Sequence, residues 1–95
     1  MTSPEIYIQD QTLIAESTEV KLTAYVVLYN DEDHTIDEVV VQIMKAAGHS
    51  YEKSEMLTYE VHLKGKAIVF SGSMGLCLKV SSILEEIELT TSIVY

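Results

Sequence analysis

Ile36, Val39, Val40, Ile43, Met44 and Ala47 fall at i, i+3, i+4, i+7, i+8 and i+11, the stripe of one face of an amphipathic helix, and Gly48 stands where that helix can stop. Ahead of it, Val20 to Leu28 is rich in β-branched and aromatic residues and reads as a strand buried on at least one face. A second, more weakly periodic helix is expected from Ser50 to about Leu63, with Leu57, Val61 and Tyr51 inward and Gly65 as its stop. Lys66 to Phe70 reads as a short strand and Ser71-Gly72-Ser73 as a turn. Leu76, Val80, Ile83, Leu84 and Ile87 form the buried face of a third helix. Thr90 to Tyr95 is β-branched and supplies a last strand. The order βααβαβ predicts an α+β fold, a three-stranded antiparallel sheet with three helices on one face. Residues 1–18 read as a flexible N-terminal arm and residues 19–95 as the folded domain.

Between the first strand and the first helix runs Asn30-Asp31-Glu32-Asp33-His34, followed by Thr35-Ile36-Asp37-Glu38. Thr35 can accept from the Glu38 backbone N–H while Glu38 reaches back to the Thr35 N–H, a reciprocal capping box that ends the loop at a defined residue. A loop anchored at both ends orders its acceptor groups before a ligand arrives, which suits it to binding. Asp37 and Glu38 are also first-turn acids of the kind the helix dipole favours.

Composition narrows the function. Apolar residues make up 47% of the chain, enough for one modest core in one domain of 95 residues. Fifteen acidic residues against six basic ones give a net charge of −9, which repels phosphate backbones and anionic lipid. Neither nucleic acid nor a membrane is an expected partner, whereas a positively charged group such as a protonated peptide amino terminus is favoured. No stretch approaches the roughly 20 apolar residues of a membrane span, and no basic leader precedes an apolar run. The single cysteine, Cys77, allows no internal disulfide and fits a reducing cytoplasmic setting.

Catalytic chemistry finds no constellation. His34, His49 and His62 stand among many carboxylates, but their spacing matches no metal-ligand pattern, and Asp31-Glu32-Asp33 lacks the alternation and the glycine of a calcium loop. Cys77 lies between Leu76 and Leu78, where a cysteine packs as a small hydrophobe, and no glycine-rich phosphate loop follows a strand. No metal, cofactor or catalytic residue is expected, and the chain is not expected to be an enzyme.

Two anchors remain. The first is Tyr25-Val26-Val27-Leu28-Tyr29 followed by Asn30-Asp31 and Thr35, and the second is Val61-His62-Leu63-Lys64-Gly65-Lys66-Ala67-Ile68. Together they resemble the ClpS family of adaptors for bacterial Clp proteases, which shows Asn-Asp-Asp-aromatic-Thr and Val-His-x-x-Gly-x-Ala at these places. Asn30 to Thr35 carries one residue more than the common pattern and takes the Asn-Asp-x-x-His-Thr form of related eukaryotic N-recognin domains. Lys79-Val80 is similar to a further Lys-Val of the family.

The resemblance, over roughly residues 20–95, implies an adaptor that binds proteins whose first residue is Phe, Leu, Trp or Tyr and delivers them to a Clp-type ATP-dependent protease. Carried over by position, Asn30, Asp31 and His62 would bind the α-amino group. Thr35, Val40, Thr58 and Val61 would line the pocket for the first side chain, and Lys79 would dock the ATPase N-domain. Asp37 and Thr58 stand where the family has apolar residues at the pocket. The alternative is a diverged ClpS-like interaction or regulatory domain that no longer binds amino-terminal residues.

Overall fold

The structure, a computed structural model, describes residues 22–95, so the arm expected over residues 1–18 lies outside the described residues. Six elements follow one another: β1 (Ala24–Tyr29), α1 (Ile36–Ala47), α2 (Tyr51–Lys64), β2 (Lys66–Gly72), α3 (Met74–Glu85) and β3 (Thr91–Val94). The strands form one antiparallel sheet in the order β2-β1-β3, so β1 is central. This is the α+β architecture that the periodicity predicts.

Ala24, Val26 and Leu28 of β1 alternate into the core and are 0–1% exposed, because successive side chains of a strand point to opposite faces. Around them pack Ala67 and Val69 of β2, Ile43 of α1, Leu57 and Val61 of α2, and Cys77, Val80 and Leu84 of α3. Tyr25 and Ile68, which take the other face of the sheet, are exposed. The register of β1 on β2 shifts between Val26 and Val27, leaving Val69 as the extra residue of a bulge. His49 Nε2 donates to the Val69 carbonyl at 2.7 Å, tying the α1–α2 turn to that edge.

The helix ends are set locally. Thr35 Oγ1 accepts from the Glu38 N–H at 3.1 Å and Glu38 Oε1 accepts from the Thr35 N–H at 2.9 Å, completing the capping box of α1. Ser50 and Ser73 cap α2 and α3 in the same sense by accepting from the N–H of Lys53 and Leu76. Gly48 and Gly65 close α1 and α2 with φ of 73° and 88°, a region only glycine enters without steric cost. Thr35→Ala is expected to destabilise the domain by about 1 kcal/mol, read as a lower urea midpoint, with Thr35→Ser close to native. An unchanged midpoint for the alanine variant would show that the box does not stabilise the fold.

Several local expectations are corrected. β2 runs through Gly72, and Ser73 is already the cap of α3, so no separate turn spans residues 71–73. Val80 and Leu84 are buried as expected, but Leu76 is 52% exposed, because Cys77 and Ser81 complete the buried face of α3 in place of Leu76 and Ile83. Tyr51 is exposed as well; at the first turn of α2 it lies beyond the edge of the core and donates its hydroxyl to Glu55. Ile87 packs against the core from beyond the end of α3 rather than from its face.

Candidate functional site

At one end of the sheet the end of β1, the loop after it, the start of α1 and the end of α2 converge. The Tyr29 N–H donates to the Thr90 carbonyl at 3.0 Å and the Asn30 N–H to the Gly65 carbonyl at 2.9 Å. These two backbone bonds hold the start of the loop between the approach to β3 and the glycine that ends α2. The elements enclose a cavity of about 230 Å³ lined by Leu28, Tyr29, Asn30, Asp31, Glu32, His34, Thr35, Ile36, Val39, Thr58, Val61, His62 and Leu89. It falls below the ~300–1,000 Å³ of sites for drug-sized ligands and suits one amino-acid side chain. Its deep wall is apolar, from Leu28, Ile36, Val39, Val61 and Leu89, and its rim carries amide, carboxylate and imidazole groups.

Asp31 is the most heavily bonded group of the loop. Its Oδ1 accepts from the Asp33 N–H at 2.9 Å and from the His34 N–H at 3.1 Å, an aspartate turn that folds the loop back on itself. His34 Nδ1 lies 3.0 Å from both carboxylate oxygens of Asp31, and His34 Nε2 lies 2.6 Å from the carbonyl of Ile87 in the connection between α3 and β3. Both partners only accept when Asp31 is ionised, so the two contacts together require a proton on each ring nitrogen. The bond from Asp31 raises the His34 pKa above its ordinary value; burial works against it, and the Ile87 carbonyl and the charges of Asp31 and Glu38 add to the rise. Partial burial pushes the Asp31 carboxyl up, but the His34 ring and the two backbone N–H groups outweigh it and hold the carboxyl below its usual range.

In that connection Glu88 adopts φ of 66°, a left-handed conformation that costs a non-glycine residue roughly 1–2 kcal/mol. It separates Ile87, which accepts from His34, from Leu89, which lines the cavity. Asn30 Nδ2 makes a long contact of 3.5 Å to Glu32 Oε2, which leaves its Oδ1 as an acceptor. Thr58 Oγ1 donates to the Ser54 carbonyl at 2.7 Å, so its proton is engaged inside α2. His62 is exposed at the rim, and no side-chain hydrogen bond to it is seen among the described residues.

The model of the family described as ATP-dependent Clp protease adaptor protein ClpS matches residues 21–90. The chain belongs to the ClpS family. Members of this family are adaptors. Among solved structures, the chain is similar to Agrobacterium tumefaciens ClpS2 bound to L-phenylalaninamide, with a TM-score of 0.70 and 16% identity over 75% of this chain and 93% of that one. At that identity the likeness shows a shared fold. No curated protein sequence matches the chain.

Within this ClpS fold, Asn30, Asp31, Thr35, Thr58, Val61 and His62 are brought to one cavity although they come from two segments, the loop after β1 and the end of α2. Val40 is not among them: it is 1% exposed and lies outside the cavity lining, while Ile36 and Val39 line it. One step of about 100° along the helix separates Val39 from Val40 and carries the latter into the interior. Lys79 is exposed on α3, apart from the cavity, beside the exposed Leu78. Asp37 and Glu38 also lie off the cavity and flank a neighbouring groove with Val41, Gln42 and Ile87, and His34 forms a wall of both.

Sequence reasoning gave His34 no place in the site, left Glu32 and Asp33 open, of which Glu32 lines the cavity, and passed over the apolar lining from Leu28, Ile36, Val39 and Leu89. The pairing of Asp31 with a histidine three residues on is a local signal for the aspartate turn. Leu89 carries no such signal, because only the folded connection brings it to the cavity. Among the described residues no group of three or more His, Cys, Asp or Glu side chains is placed to hold a metal ion, and no helix is long and apolar enough to cross a membrane.

Proposed function

We propose that this ClpS-family adaptor captures the amino-terminal residue of substrate proteins. Its α-ammonium group would be held at Asn30, Asp31 and His62 and its side chain in the apolar cavity. The observation that carries the reading is the meeting of three polar groups at the rim of a cavity the size of one side chain. An α-amino group, with a pKa of about 7.7–8.0, is largely protonated at neutral pH and offers three donors to such acceptors. The ligand of the Agrobacterium relative, phenylalaninamide, has the same two parts, a free α-amino group and an apolar side chain. A net charge of −9 favours the approach of a cation.

Magnitudes indicate how many contacts are needed. Burial of one large side chain contributes about 1.5–3 kcal/mol and a charge-assisted hydrogen bond about 1.5–3 kcal/mol. Micromolar affinity requires about 8 kcal/mol, so the side chain and a single amino contact fall short. Two or more amino contacts in a cavity already formed make up the difference. Delivery to a Clp-type ATP-dependent protease completes the proposed role, with the exposed Lys79 as a docking contact for the ATPase.

Fluorescence anisotropy with peptides beginning with Phe, Leu, Tyr or Trp tests the reading. Each is expected to bind with micromolar affinity, and its N-acetylated form and an Ala-first control are expected not to bind. If free and acetylated termini bind alike, or none binds at high micromolar protein, the amino-end reading is wrong and a diverged interaction domain takes its place.

A further inference from the structure

We propose that His34 is an internal cation that competes with the peptide α-ammonium for Asp31, so that capture of an amino terminus is coupled to loss of a proton from the His34 ring. This rests on the reading of Asp31 as an α-amino acceptor. Asp31 Oδ1 already accepts from two backbone N–H groups, and the imidazole faces both carboxylate oxygens at 3.0 Å. A second cation brought to the same carboxylate meets a positive ring on the opposite side of a few ångströms of partly buried space, where charge repulsion is poorly screened.

The neutral ring resolves the conflict. It retains one N–H, so it keeps either the Ile87 carbonyl at 2.6 Å or the Asp31 carboxylate, and not both as donor. Keeping the Ile87 bond turns Nδ1 into an acceptor 3.0 Å from the carboxylate oxygens, and the incoming ammonium group relieves that contact by donating to the Asp31 carboxylate and Nδ1 together, while the connection that carries Leu89 stays latched.

The groups facing His34 favour its proton in the empty site. Asp31 faces it from its own loop and Glu38 from α1, with Asp37 in the same groove. The connection after α3 presents the Ile87 carbonyl, between Glu86, which is paired with Lys45, and Glu88. An incoming ammonium group is the one new positive charge in this set, and it lowers the tendency of the ring to stay protonated.

Linkage gives the sign. Binding that expels a proton strengthens as pH rises through the ring titration, by at most tenfold per pH unit for one proton, and weakens again as the peptide α-amino group loses its own charge near pH 7.7–8.0. The second limb belongs to the peptide, so the ratio of native to His34→Gln affinity isolates the first.

Binding of a Phe-first peptide is measured from about pH 6 to about pH 8 for the native chain and for His34→Gln, with calorimetry in buffers of different ionisation enthalpy to count protons released. The native chain is expected to release a fraction of a proton, up to about one, per peptide bound at the acidic end, and its affinity relative to the variant is expected to rise several-fold across the range. Ring ¹⁵N spectra of the native chain are expected to show both His34 nitrogens protonated at about pH 6 without peptide and a neutral tautomer with peptide. Parallel profiles for the two proteins, no proton release by the native chain, or a ring that stays charged in the complex would overturn the inference while leaving the amino-end site standing. A native chain that binds no free amino terminus at any pH overturns both.

Discussion

Asp31→Ala is expected to weaken binding of a Phe-first peptide about 10- to 150-fold, the equivalent of one charge-assisted hydrogen bond of about 1.5–3 kcal/mol. The same carboxylate also holds the Asp33 and His34 N–H groups, so part of the alanine effect would come from a loosened loop. Asp31→Asn separates the two: its amide oxygen still accepts those backbone bonds, but the negative charge is gone. If Asp31 meets the α-ammonium, the asparagine variant loses most of the affinity too, and its urea midpoint stays closer to native than that of the alanine variant. Anisotropy on both variants reads the loss directly. An affinity within twofold of native for Asp31→Asn would place the amino group elsewhere, with His62 and Asn30 as the remaining acceptors at the rim. The loss should also be larger at the alkaline end of the range, where the native His34 no longer shields the charge it removes.

Leu28→Ala carries the largest expected effect on stability, about 2–5 kcal/mol. Leu28 is 0% exposed in the central strand, within the core cluster, and it also lines the cavity. Its truncation removes buried apolar surface and leaves a void that the strand cannot close, because β1 is paired on both sides. Against a total stability of about 5–15 kcal/mol, such a loss shifts the urea midpoint well down with little change in slope. A loss below about 1 kcal/mol would mean that Leu28 is not packed as the structure has it. Peptide affinity provides a second readout, since a wider cavity floor holds the first side chain less closely.

The parts of this protein legible from the chain are those decided within a turn or two of helix or a few residues of strand. The Thr35/Glu38 box, the stop at Gly48, the second helix ending at Gly65 and a first strand buried on one face depend on contacts between near neighbours, and each stands where its residues placed it. Asn30, Asp31 and His62 were singled out by a different route, the likeness of their two short motifs to a family, and the backbone bond from Asn30 to Gly65 joins those motifs in space. The errors on the helices arise where angular position decides the outcome. At Leu76 and Tyr51 helical periodicity identifies a face without saying which angular position meets the core, whereas Val40, buried as periodicity predicts, was carried to the cavity only by position in the family pattern.

By itself, then, the sequence determined the six elements in their order, the caps of α1 and α2 and the acidic loop between β1 and α1, because hydrogen bonds over three or four residues and side-chain periodicity are properties of the local chain. The tertiary structure alone decided the placement of β1 between β2 and β3, the turn of Val39 rather than Val40 toward the cavity, and the arrival of Leu89 at its wall. It also decided the surroundings of His34, which reads as one more polar loop residue until Ile87, 53 positions further on, places a carbonyl 2.6 Å from its second nitrogen. Whether a ring carries one proton or two is set by the groups on both of its sides, and one of those sides exists only after the chain has folded.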